Sequence, residues 1–405
     1  MNNLDTILFD IKQLAHKIHP QVIEWRRKIH ANPELAFEEF QTSDFVAETL
    51  SKINSEHPDF PPITFERNIA KTGIAAYIKG TQDGPTLALR ADMDALPILE
   101  ENHIEYCSKN AGKMHACGHD AHTSSLLGTA KILHQLRDHI KGTVKLIFQP
   151  SEEKLPGGAS VMINEGILNG VQSIIGQHVM PLIEVGKIGI CSGKYMASAD
   201  EIYITIKGKG GHGAQPHTTI DPIVVASHII LALQTVVSRN ADPRLPSVLT
   251  IGKVEALGAT NIIPEFVKME GTFRTFDENW RAKAHERITQ IVNSVAEGLG
   301  ASAELTILKG YPVLYNNEEL TNNAKNNIIE YMGAENVVDI DIWMASEDFA
   351  YYTQQIPGCF YRLGTRNEAR GIVHGLHTPK FNIDERSLSI STGLMAWLAI
   401  KELSC

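Results

Sequence analysis

Positive charge, paired cysteines and long apolar runs are all scarce in this chain of 405 residues, and each shortage removes a class of function. With 37 Lys and Arg against 47 Asp and Glu, the net charge is -10, so the phosphate-neutralising surface that nucleic-acid binding requires is not expected. The five cysteines, at positions 107, 117, 191, 359 and 405, are odd in number and share no repeating spacing, which argues against a disulfide framework and fits reduced thiols. No apolar run approaches the ~20 residues that cross a bilayer, so no membrane partner is expected. The first thirty residues form an amphipathic helical pattern with acidic residues mixed in, and lack the basic start and apolar centre of a signal peptide. A cytoplasmic location is therefore the expectation. Internal repeats and low-complexity tracts are missing as well. The remainder is ordinary globular sequence, 43% hydrophobic and 21% charged, and too long for one core, which predicts two domains.

What is abundant is concentrated between Met114 and His122, where MHACGHDAH sets one cysteine, three histidines and an aspartate within nine residues. Cys117 and His119 are two apart, and Gly118 lets the backbone fold tightly enough for thiolate and imidazole to face one point. Zinc, or a close relative, is the cofactor such donors suggest. Residues 120 to 137 read as a helix, since Leu126, Leu127, Ala130, Ile132 and Leu133 recur near a 3.6 period. Cys117 is then expected at a helix N-terminus, where the dipole favours the thiolate.

The first half of the chain alternates apolar strands with helices: a run ending in Asp92 and Asp94, the Cys/His stretch with its helix, TVKLIFQP at 143 to 150 followed by Glu152 and Glu153, and VQSIIGQHV at 171 to 179 with His178. This order implies a mixed sheet flanked by helices, with polar residues gathered at the carboxyl ends of its strands. Between about 197 and 309 the pattern becomes βαββαβ, the ferredoxin-like signature, which reads as an inserted domain. The expected division is thus a discontinuous catalytic metal-binding domain, 1–196 and 310–405, interrupted by a domain at 197–309.

A two-metal hydrolase site needs four to six protein ligands, one group shared by both ions, and a carboxylate beside them to take a proton from water. Adjacent carboxylates on an extended or turning backbone point apart, so Glu153 is assigned as ligand and Glu152 as general base. His178 is a further candidate ligand, and either His374 or His377 of HGLHTP completes the site; spacing does not choose between them. In the inserted domain, His212 lies in a glycine-rich turn suited to oxyanion stabilisation. Arg274 has the fork for a substrate carboxylate, and Asn261 offers an amide contact.

The set ALRADMDALP, MHACGHDAH, FQPSEE, GQHV, KGKGGHGAQPH, GTFRT, SEDF and HGLHTPKFNIDE resembles the M20 metallopeptidase family, specifically its amidohydrolase branch of hippurate hydrolases, N-acyl-amino-acid deacylases and auxin-conjugate hydrolases. The resemblance runs in order over nearly the whole chain. It implies a site for two divalent ions bound by Cys117, His119, Glu153, His178 and His377, with Glu152 as base. It thereby selects His377 over His374. Where the peptidase branches carry a His-x-Asp motif, this sequence reads Asp92-Met93-Asp94, so Cys117 with His119 is expected to substitute and Asp94 to orient a ligand. Family relatives use zinc, manganese, nickel or cobalt; a thiolate favours zinc. The resemblance also implies that the inserted domain closes over the site and mediates a homodimer, with His212 acting at the neighbouring subunit. The expected reaction is hydrolysis of the amide of a small acylated amino acid. A di- or aminopeptidase of the same superfamily is the nearest alternative, and an inactive metal-binding scaffold a more distant one.

Overall fold

A computed structural model describes residues 3–404. The chain folds as two compact units: Met1–Gly193 with Tyr315–Asp341 and Asp348–Cys405, and Lys194–Leu314 with Ile342–Glu347.

The first unit is built on an eight-stranded mixed sheet. Its order across the sheet is Thr64–Ile69, Gly73–Lys79, Lys141–Gln149, Gln82–Asp92, Ser173–Glu184, Gly358–Arg366, Ile188–Ile190 and Val337–Asp339. The four central strands run parallel to one another, and the hairpin of the first two joins them antiparallel. Central strands covered on both faces must be apolar throughout, which is why Leu87, Leu89, Val144, Leu146, Phe148, Ile174 and Ile175 are all buried. Helix His119–Gln135 packs among helices Asn3–His30 and Arg386–Glu402 and the sheet. It is buried on nearly every side, so the single apolar stripe seen in the sequence understates how deep it lies. The sequence-based expectation of a mixed sheet flanked by helices holds.

The second unit has a four-stranded antiparallel sheet in the order Ser247–Glu255, Phe266–Thr275, Ser198–Lys207, Ser302–Lys309. In chain order these are strands 2-3-1-4, the ferredoxin-like arrangement, with helices Pro222–Thr235 and Glu278–Gly298 after the first and third. Asp221 caps the first helix by accepting from Ile223 N, and Pro222 occupies its first turn. Val225, Ala226, Ile229 and Leu233 turn inward to a core shared with Ile202, Ile204, Val267 and Phe273.

The expectation that no apolar run approaches membrane-spanning length is corrected by one helix. Helix Pro222–Thr235 continues through a π-turn to Asn240, and these 19 residues are by length and composition long and apolar enough to cross a membrane. His228, Gln234 and Arg239 interrupt the apolar run, so a search for unbroken hydrophobicity passes over it. Its inner face is that of a core helix.

Candidate metal centre

The helix that carries the Cys/His stretch is fixed at its start. Asp120 Oδ2 accepts from Arg26 Nε and lies 2.8 Å from His30 Nδ1, tying the first turn to helix Asn3–His30. Gly118 precedes the helix at φ 87°, and a Cβ there would lie 2.4 Å from Val179 Cγ2. Only glycine satisfies both the left-handed turn and the close approach. Cys117 therefore sits just outside the helix, and its expected stabilisation by the dipole is overruled. Burial pushes its thiol well above the ordinary value, and Glu153 and Glu152 push it further the same way. Such a thiol ionises when a cation shares the cavity.

Around Cys117 the structure gathers the other donors. His178 Nε2 and His377 Nε2 each lie 3.3 Å from its Sγ, and His377 Nε2 lies 3.1 Å from Glu153 Oε1. Cys117, His119 and His178 have donor atoms within 4.8 Å of one another, as do Cys117, Glu153 and His377. Cys117 is the member common to both groups. His377 reaches this position at φ 59°, with its backbone N–H donating to Ala116 O at 2.8 Å. His374 is exposed and takes no part in either group. His178 was expected at a strand end; the strand continues to Glu184, and the ring projects from its middle.

The donor set fits metal ions on the orientation of its imidazoles. Asp94 Oδ1 lies 3.1 Å from His119 Nδ1, which assigns the proton to that nitrogen and leaves the buried Nε2 without a hydrogen-bond partner. His178 Nδ1 lies 2.7 Å from Val179 O, so its Nε2 is likewise the lone-pair nitrogen. Glu153 Oε1, also buried, has His377 Nε2 beside it at 3.1 Å. A buried imidazole nitrogen left unpartnered beside a thiol, a second imidazole and a carboxylate is what a cation satisfies.

Glu152 is buried, with donor atoms within 4.8 Å of those of His119 and Glu153, and its Oε1 accepts from Asp348 N at 3.3 Å. Asp94 accepts the backbone N–H of Glu152 on Oδ1 and of Glu153 on Oδ2, each at 3.0 Å, so one carboxylate aligns the imidazole and both glutamates.

Behind them lies a layer organised by Arg90, which the sequence pattern did not single out. Arg90, fully buried, donates to Asp92 Oδ2 at 2.6 Å, to Asp348 Oδ1 at 2.8 Å and to Gln149 Oε1 at 2.9 Å. Asp92 in turn lies 2.6 Å from His122 Nδ1, while His122 Nε2 accepts from Val179 N. Burial alone would raise the Asp92 carboxyl, but His119, Arg90 and His122 outweigh it and hold it well below the usual range. An arginine within the apolar run TLALRAD was the available signal, because a charge inside a central strand must be paired.

In the second unit, His212 and Asn261 share a small hairpin: Ile262 pairs with His212, and Gly213 N donates to Asn261 O at 2.8 Å. Both are exposed. Arg274 is half-buried and donates to Met344 O at 3.0 Å. The sequence reading grouped Arg274, Asn261 and His212 as substrate contacts. Within the unit they are separated, because Arg274 pairs with Ala199 whereas the hairpin extends beyond the Phe266–Lys207 pair. Eight residues of strand, about 26 Å, lie between Arg274 and the Phe266–Lys207 pair that the hairpin follows.

Clustered Cys, His and Glu donors with a buried carboxylate beside them, at the edge of a mixed α/β sheet, form the architecture of a metal-dependent hydrolase. Residues 88–400 match the family described as Peptidase family M20/M25/M40. The chain is 46% identical over 310 residues to the N-acyl-L-amino acid amidohydrolase of Geobacillus stearothermophilus, covering 76% of this chain and 82% of that one. It is 40% identical to thermostable carboxypeptidase 2 of Saccharolobus solfataricus, covering 96% and 98%. The solved structure of the Bacillus subtilis YXEP protein, described as a dinuclear metal-binding peptidase from the M20 family, superposes with a TM-score of 0.81 at 37% identity, covering 96% of this chain and 99% of that one. The protein belongs to peptidase family M20.

Proposed function

We propose that the protein hydrolyses the amide bond between an acyl group and the nitrogen of an amino acid, with Glu152 as general base. The observation that carries this reading is the burial of Glu152 beside Glu153 and His119, while the two donor groups that share Cys117 leave it out. The relative named N-acyl-L-amino acid amidohydrolase supports the substrate class.

Cys117, His119, Glu153, His178 and His377 would hold two divalent ions, zinc first on the softness of the thiolate, with manganese, nickel or cobalt as alternatives. When bound, such ions supply Lewis acidity, polarising a carbonyl and making water more acidic. Glu152 takes the proton from the attacking water and returns it to the departing nitrogen, which would otherwise have to leave as a strongly basic amide anion. Asp94 keeps His119 in the tautomer that ligates through Nε2. Arg274 grips a free carboxylate, and His212 stabilises the oxyanion.

The working form is a homodimer joined through the inserted unit. Two observations favour it. The outward face of helix Pro222–Thr235 exposes Ile223, Val224 and Leu231, and the edge strand Ser247–Glu255 exposes Val248 and Val254, more apolar surface than a lone face needs. The separation of Arg274 from His212 and Asn261 also means that one chain's set cannot hold one small substrate, whereas two chains can share the task. Among the described residues, Cys107, Cys117, Cys191 and Cys359 form no disulfide, which supports a reducing, cytoplasmic setting.

A panel of N-acetyl-amino acids, free dipeptides and N-blocked dipeptides, run on metal-reconstituted protein, tests the substrate assignment. Turnover concentrated on N-acyl-amino acids supports it. The relative named a carboxypeptidase favours a second reading, peptide hydrolysis, which preference for the dipeptides would establish instead.

A further inference from the structure

Glu39 is fully buried and stands at the start of helix Phe40–Glu56, yet it does not cap that helix. The helix N-terminus is served by Glu34, whose carboxylate accepts from Gln41 N, Thr42 N and Thr42 Oγ1. The Glu39 carboxylate is directed elsewhere. Its Oε1 accepts from Phe37 N and Ser151 N, both at 2.9 Å, and its Oε2 accepts from Thr72 Oγ1 at 2.6 Å.

These three donors belong to three separate segments, each with a left-handed non-glycine residue. Phe37 has φ 61°, Ala70 and Lys71 just before Thr72 have φ 48° and 80°, and Ser151 has φ 51°. Such conformations persist only where surrounding bonds hold them. Ser151 is the consequential one. It turns the chain immediately after strand Lys141–Gln149, and that turn presents the next two amides, of Glu152 and Glu153, to Asp94. Asp94 fixes the glutamates from one side; Glu39 fixes the turn from the other.

We propose that Glu39 is a positioning residue for Glu152, acting through the left-handed turn at Ser151. The proposal rests on the reading of Glu152 as base. It explains why a carboxylate is buried away from its own helix, and it gives the segment HANPELAFEEF a part in the reaction without contact with substrate.

The test uses full-length, metal-loaded protein carrying Glu39→Ala, Glu39→Asp or Glu39→Gln. Glutamine keeps the length and the Oε1 acceptor for both amides, and its amide nitrogen can donate to Thr72 Oγ1. Aspartate keeps the charge but falls short of Ser151. The expected result is a kcat loss of about 10- to 100-fold in Glu39→Ala and Glu39→Asp, as for a misplaced reacting group, with KM and metal content unchanged and faster amide exchange over residues 151–154. Glu39→Gln stays within about threefold of wild type, and Ser151→Gly, which adopts φ 51° freely, restores part of the loss in Glu39→Ala. Should Glu39→Ala fail to fold, Glu39→Asp carries the same prediction. Wild-type kcat in Glu39→Asp overturns the proposal. So does a Glu39→Asp loss of equal size in a Glu152→Gln background, since residues acting through one another are not additive. Failure of the base assignment has a different signature: Glu152→Gln alone would then turn over normally.

Discussion

Asp94 Oδ1 and His119 Nδ1 lie 3.1 Å apart, and the same oxygen accepts the backbone N–H of Glu152. One atom thus sets the tautomer of the His119 imidazole and the place of the residue beside it. Asp94→Asn removes that economy: its amide can keep one acceptor for His119 but then turns an N–H toward Glu153 N. Metal affinity should fall by about 10- to 100-fold, the usual cost of losing such an orienting partner, as read by titration with a competing chelator. An unchanged affinity would mean that Asp94 only packs.

The sharing of Cys117 between two donor groups makes a contrast with the unused histidine. Cys117→Ser should lower the number of ions retained per chain after dialysis, and His377→Ala should lower it too. His374→Ala should leave both metal content and turnover within about twofold of wild type, as expected of an exposed side chain away from special features. Elemental analysis of the dialysed proteins decides this, and a loss of metal in His374→Ala would reverse the choice between the two histidines.

Much of this centre was legible because its chemistry is written in residue types that packing does not favour. Cys117, His119, Glu152 and Glu153 stood out on composition and spacing, and His377 on resemblance. What stayed hidden depends on three-dimensional pairing: Arg90 with Asp92 and Asp348, and Glu39 with Ser151, join residues up to 258 apart in sequence. The strand and helix alternation was readable because the central strands are apolar throughout. The position of His178 within a longer strand was not, since a strand that remains paired past a polar residue carries no stop signal.

Burial, and then the charge of Asp94, raise the Glu39 carboxyl to about 7 from 4.5. A carboxyl raised on folding holds a proton that the unfolded chain has released, so its contribution to stability declines as pH rises through that window. Wild type should therefore lose roughly 3 kcal/mol relative to Glu39→Gln between about pH 4.5 and 7, at 1.36 kcal/mol per unit. Thermal unfolding of both proteins at pH 5 and pH 7.5 measures the change. A constant difference in melting temperature would contradict it.

Leu231 is 70% exposed on the outward face of helix Pro222–Thr235. If that face joins two chains, Leu231→Glu buries an unpaired charge at the contact, and light scattering should show the mass fall from that of two chains to that of one. Turnover should fall with it, because His212 and Asn261 then have no neighbouring centre to serve. A dimer that persists would place the contact elsewhere.

Glu152 as the base is the central assignment, and the most direct measurement is the turnover of Glu152→Gln on an N-acetyl-amino acid beside its metal content. The prediction is full retention of metal with turnover reduced by about 10²- to 10⁴-fold. Near-normal turnover in the metal-loaded variant would contradict it.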